Sequence, residues 1–228
     1  MTRTTLALLA AVLALAVAAA GCGGDDDESA AADHSTTTMA GHEMAGASSS
    51  STAADTRVTL DRLLGEHAML AMFATQKGLK GEDDFEAIAG ALDANSQDLA
   101  KVIGSVYGDQ AAKTFLDGEF LWRFHIKQFV AYTVALAKDD KAAQQEAVGK
   151  LMGYVEAQSA FLADATGADK AAVRDALSMH VLELKGQLDA YAKGDYAEAY
   201  ALAREAYAHM FATGDALAAA IVAQGKAS

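Results

Sequence analysis

The residues able to do chemistry in this chain of 228 are concentrated in six histidines and the methionines and carboxylates beside them. Four of the six, His67, His125, His180 and His209, lie in stretches with three-and-four helical spacing. Glu66 adjoins His67, Glu183 follows His180 by three residues, and Glu205 precedes His209 by four. The last two spacings put acid and imidazole on one helix face. Met69, Met72, Met179 and Met210 stand close by in sequence. Imidazole, thioether and carboxylate together suit a copper-type ion, thioether favouring the monovalent state and imidazole serving either. A second group, His34, Met39, His42, Glu43 and Met44, lies in a polar, low-complexity stretch where methionine has no core to fill. His42 and Met44 there read as a weak, exchangeable feeder site. The competing reading is that the helical histidines and methionines fill a core. Methionine is a flexible filler, and duplication copies core residues as readily as ligands.

Several chemistries are excluded. His-Glu-x-x-His is absent, and the residues three before the helical histidines are Leu64, Trp122, Leu177 and Ala206. The zinc-protease and carboxylate-bridged di-iron signatures both fail on that count. There is no phosphate loop and no Gly-x-Ser-x-Gly elbow, so no catalytic residues are assigned and an enzyme is not expected. A formal net charge of −13 argues against nucleic acid as a partner, because phosphate binding needs clustered Lys and Arg.

The N-terminus carries an address. Arg3 precedes an apolar run from Leu6 to Ala20, and Ala19-Ala20-Gly21-Cys22 places small residues before the chain's single cysteine. The segment resembles a bacterial lipobox, which implies removal of residues 1–21 and lipidation of Cys22. The run is short for a membrane span, which takes about 20 apolar residues. Residues 22–56, rich in Asp, Ala, Ser and Thr, read as a disordered tether.

What positions the histidines is a helical domain, expected over 57–228. With no proline anywhere, long helices need no interruption. The pattern predicts helices from about Thr59 to Lys80, Asp83 to Val106, Ala112 to Ala137 with Gly118 as a breaking point, Lys141 to Ala163, Asp169 to Tyr191, and Tyr196 to Ala223. This is an all-α bundle of about six antiparallel helices from three helical-hairpin repeats. An offset of 55 lays His125 on His180 and Lys138-Asp139-Asp140 on Lys193-Gly194-Asp195. An offset of 58 lays His67 on His125 and Lys80 on Lys138. Tyr196, Tyr200 and Tyr207 are expected to form a buried seam.

Ala190-Tyr191-Ala192-Lys193-Gly194-Asp195-Tyr196-Ala197 resembles a tetratricopeptide turn, but that family repeats every 34 residues, so the likeness is local. Glu66-His67, Tyr107-Gly108, His125, His180, Lys193-Gly194-Asp195-Tyr196 and Tyr207-Ala208-His209-Met210 together resemble uncharacterised secreted Gram-positive lipoproteins built of helical-hairpin repeats. The resemblance implies fold and address, and no activity. The expectation is therefore a lipid-anchored helical binding protein on the outer face of the cell membrane. It would handle a metal ion such as copper, with no other cofactor. The alternative is a structural lipoprotein, or one that binds a protein partner. Replacing Cys22 with Ala is expected to release the protein from membranes or leave its leader uncleaved. A soluble mature chain with an unmodified Cys22, seen by mass spectrometry, would refute the anchor.

Overall fold

The computed structural model describes residues 47–226, with side chains from Ala53 onward, and every regular element among them is a helix. In chain order these are α1 (Ala47–Lys80), α2 (Phe85–Tyr107), α3 (Asp109–Asp117), α4 (Trp122–Ala137), α5 (Lys141–Thr166), α6 (Lys170–Ala192) and α7 (Tyr196–Ala223). The all-α expectation holds, with seven helices among the described residues in place of about six. The stretch from Ala112 to Ala137 is divided at the expected breaking point, Gly118. Gly118 fits the break because a Cβ there would lie 2.5 Å from the Thr114 carbonyl oxygen, and Phe120 takes a left-handed φ of 60°. The first helix also begins at Ala47, ten residues before the domain boundary drawn at 57. Once a helix is nucleated on the buried Leu60, Leu63 and Leu64, propagation is cheap, and no proline or glycine stops it before Ala47. Cys22, His42, Met44 and most of the tether lie outside the described residues.

Three turns share one geometry. The Glu82 N–H donates to the Lys77 carbonyl (3.1 Å), Asp140 to Ala135 (2.9 Å) and Asp195 to Ala190 (3.0 Å). The residue before each donor is left-handed: Gly81 (φ 64°), Asp139 (54°) and Gly194 (78°). This is the Schellman way of closing a helix, and aspartate tolerates the conformation where glycine is absent. Asp140 and Asp195 then cap the helices that follow, accepting from Ala143 (3.0 Å) and Glu198 (3.2 Å). The left-handed residues stand at the same offsets, 58 and 55, as His67, His125 and His180. Each histidine therefore precedes the end of its own helix by the same length, about 21 Å at 1.5 Å per residue.

Helix α1 is the centre of the assembly and packs against α7, α2, α4 and α6. Two core clusters meet along it. One gathers Ala71, Met72, Phe129, Leu151, Tyr154, Val181 and Leu184; the other gathers Leu63, Leu64, Ala68, Leu99, Phe115, Trp122 and Met210. On α7 most of the buried residues are small, Ala199, Ala206, Gly214 and Ala218, with Met210 and Ile221 among them. The expected tyrosine seam is overturned, since Tyr196, Tyr200 and Tyr207 are 50%, 51% and 37% exposed. The rings of Tyr207 and Phe211 lie over Gly65 of α1, and at Gly214 the two helices come too close for a side chain. A Cβ on Gly214 would lie 2.5 Å from Asp61 Oδ1 and 3.1 Å from the Asp61 Cα.

Gly214→Val is accordingly expected to lower unfolding stability by about 1–3 kcal/mol through overpacking. Gly149→Ala, an exposed helical site with nothing within 4 Å of the added carbon, is expected to raise it by about 0.5–1 kcal/mol. Denaturant titration of both variants checks the pair, and an unaffected Gly214→Val would remove the argument for a glycine-dependent α1–α7 seam.

Candidate metal centre

His67 on α1, His125 on α4 and His180 on α6 converge where the two core clusters meet. Their exposures are 0%, 1% and 1%, and one ring nitrogen from each lies within 4.8 Å of the others. His125 Nε2 and His67 Nε2 are 3.4 Å apart. The His67 and His180 ring centres are 5.8 Å apart. The convergence follows from the shared height of the three histidines along α1, α4 and α6 and from the contacts of α1 with both other helices.

Aromatic walls hold the rings. Tyr154 on α5 stacks on His125 at 4.4 Å between centres. Trp122, one turn before His125, lies 4.6 Å from His67 and 4.9 Å from His125. The indole is fixed in turn, its Nε1 donating to Ser96 Oγ on α2 at 3.1 Å. Asn95 Nδ2 ties α2 to α1 near the site, donating to the Leu63 carbonyl and to Glu66 Oε2, each at 3.0 Å. The sequence reading passed over Trp122, Tyr154 and Ser96. A lone Trp one turn ahead of a candidate ligand was the available signal; Tyr154 and Ser96 had none.

The remaining sequence candidates are placed as follows. Glu66 turns outward, its side chain 44% exposed and paired with Arg62 and Asn95. Glu205 is exposed. His209 does not enter the cluster; its Nδ1 meets Glu183 Oε1 at 3.3 Å, between α7 and α6. Glu66, Glu205 and His209 are thereby removed from the ligand set, because the rotation of each helix against its neighbours turns them elsewhere. Glu183 stands beside the triad as the partner of His209. Met72 and Met210 are core, while Met69 and Met179 are 41% and 52% exposed.

His67 Nδ1 and both ring nitrogens of His180 are buried without a hydrogen-bond partner. So are both amide atoms of Gln158, one turn beyond Tyr154 on α5 and wholly buried. Each unmet buried polar group costs about 1–3 kcal/mol, so the cluster as it stands lacks something that would satisfy it. Burial holds all three imidazoles neutral. It lowers His67 well below the ordinary value, with His125 and His180 acting in the same direction. His125 is brought to about 3 by burial and then by His180, the Trp122 backbone opposing. His180 is brought to about 4 by burial and then by His209. Neutral imidazole is the metal-binding form.

A cavity of about 530 Å³ reaches the cluster and has His67 and His125 among its lining residues. It lies over α1 between α2 and α4. Its floor is made of small α1 residues, Ala71, Ala74 and Gly78, and its walls include Leu92, Phe129 and Leu184. The hydroxyls of Thr75 and Thr133 bond back to their own helices, at 2.9 Å to Ala71 and 2.8 Å to Phe129. The exposed residues lining it include Glu82, Asp83 and Glu86.

Set against models of known protein families, curated proteins and solved structures, the chain finds no match. The likeness to secreted helical-repeat lipoproteins therefore rests on the residues quoted for it.

Each buried imidazole makes stability depend on pH. Unfolded histidine takes up its proton near pH 6.5, whereas the folded His125 and His180 do so only near 3 and 4. Between those values the unfolded chain binds more protons, so stability falls as pH drops below about 6.5. By pH 4 the loss is on the order of 3 kcal/mol for each of the two. Denaturant midpoints of the chelator-treated protein at pH 7 and pH 4 should show this, with a shallower dependence in His180→Gln. An identical pH dependence in variant and parent would remove His180 as a source of it.

Proposed function

We propose that this protein is a lipid-anchored, extracytoplasmic binding protein for a transition-metal ion. The ion is held by His67, His125 and His180, copper is a candidate among the ions that imidazole suits, and no reaction is catalysed. The observation that carries this reading is the convergence of three fully buried, neutral imidazoles from three helices. An ion about 2.0–2.1 Å from each nitrogen needs ligand atoms about 3.3 Å apart, and His67 and His125 already stand at 3.4 Å. The unpartnered ring nitrogens of His180 give the ion a further structural reason, because coordination would satisfy one of them where packing alone leaves both unmet. Cys22 would anchor the chain through lipid at the outer face of the cell membrane, and His42 and Met44 would pass ions to the bundle.

One observation favours the alternative, a protein-interaction role. Met69 and Phe73 on α1 and Tyr200 and Tyr207 on α7 leave large side chains 37–51% exposed on helices that pack together. That reading accounts for the outer face and leaves the buried triad unexplained.

The test is ion binding by the mature protein with His42 and Met44 replaced by Ala. One ion per chain is expected from among Cu(I), Cu(II), Zn(II), Ni(II) and Co(II). At about a hundredfold over Kd the gain is about 2.7 kcal/mol, which raises Tm by about 5–10 °C for a bundle of this size. His125→Gln and His180→Gln should each abolish the shift while keeping the helical spectrum. No binding and no shift with any of the five ions would overturn the proposal.

A further inference from the structure

We infer that the centre selects a monovalent soft cation, Cu(I) or its analogue Ag(I), over divalent ions; the inference rests on the triad being a metal site. Its basis is charge. The three groups within reach of one another are neutral imidazoles, and no carboxylate or thiolate joins them among the described residues. Glu183, the acid one turn along α6, meets His209 Nδ1 through Oε1, and its buried Oε2, which has no partner, does not join the ligand atoms of the triad. The ligands are at most 1% exposed, with Trp122 and Tyr154 against the rings.

The cost of moving an ion from water into a low-dielectric interior grows with the square of its charge, and even singly charged groups pay several kcal/mol. A divalent ion on three neutral ligands therefore meets about four times the penalty of a monovalent one. The usual remedy is an anionic fourth ligand, a carboxylate or a hydroxide fixed by hydrogen bonds. The cavity beside His67 and His125 is lined there by Ala71, Leu92, Phe129 and Leu184, its threonine hydroxyls are turned to their own helices, and of its carboxylates Asp93 is paired with Arg123 while none, Glu82, Asp83 and Glu86 included, joins the ligand atoms of the triad. Buried Gln158 can supply an amide but no charge. A filled-shell monovalent ion has no such requirement, because three-coordination by neutral nitrogen satisfies it.

The experiment uses the mature protein carrying His42→Ala and Met44→Ala, so that the bundle alone is read. Ag(I), as an air-stable probe, and Cu(I), against a chromogenic Cu(I) chelator under anaerobic conditions, are compared with Zn(II) and Cu(II) at pH 7. One equivalent of Ag(I) or Cu(I) should bind at least about a hundredfold more tightly than Zn(II), a difference of about 2.7 kcal/mol. A second variant keeps the test independent of ligand deletion. Ala71→Asp places a carboxylate one turn beyond His67, at the cavity's end, and should move the preference toward Zn(II) by tenfold or more. Zn(II) or Cu(II) bound through the triad as tightly as Ag(I), or an unchanged preference in Ala71→Asp that still binds, would overturn the charge argument while leaving the triad as a metal site. Binding of none of the four ions would overturn both.

Discussion

Burial of three uncharged imidazoles at one point is the constraint around which the rest of this bundle is arranged. An imidazole in an apolar interior must give up its proton and find partners for its nitrogens. Here His125 and His180 are held near 3 and 4 by that burial, and several nitrogens remain unmet. Such a cluster persists only if surrounding packing more than offsets it. The packing comes from α1, the one helix in contact with α2, α4, α6 and α7 together, and from the rings of Trp122 and Tyr154 that close over the histidines.

The same constraint explains features that would otherwise look unrelated. The three Schellman turns lie at equal distances from the three histidines, so the helix ends and the ligands share one register. Gly214 lets α7 approach α1 closely at Asp61, with Ala199, Ala206 and Ala218 also on its buried face. On the opposite side α2 leans on α1 and α3, whereas α4 leans on α1 and α5. The space between α2 and α4, above the small residues of α1, becomes the cavity. Access and enclosure are thus two sides of one packing arrangement.

The sequence by itself determined the local structure. Absence of proline, three-and-four apolar spacing and aspartate or glycine at the turns specify the helix ends to within a few residues except at the start of α1, and both ends of α7 agree. The recurrence of a histidine and a turn at offsets of 55 and 58 was also legible, and it singled out His67, His125 and His180 as equivalent. These are properties of the chain within about a turn of each residue, where backbone hydrogen bonding and side-chain period leave little choice.

Which candidates meet was decided by the tertiary structure alone. Helical period fixes the angle between residues on one helix, but not how that helix is rotated against its neighbours. Glu66 is adjacent to His67 in sequence and still faces outward, and Glu205 shares a face with His209 yet stays exposed. His209, outside the repeat register, still read as a candidate by residue type and helical spacing, and on α7 it meets Glu183. The tyrosines of α7 read as a seam and are 37–51% exposed, while the buried positions of that helix are taken by Ala199, Ala206, Met210, Gly214, Ala218 and Ile221. Tyr154 carried no signal of its own, since its role comes from helices distant in the chain being pressed against the same three rings.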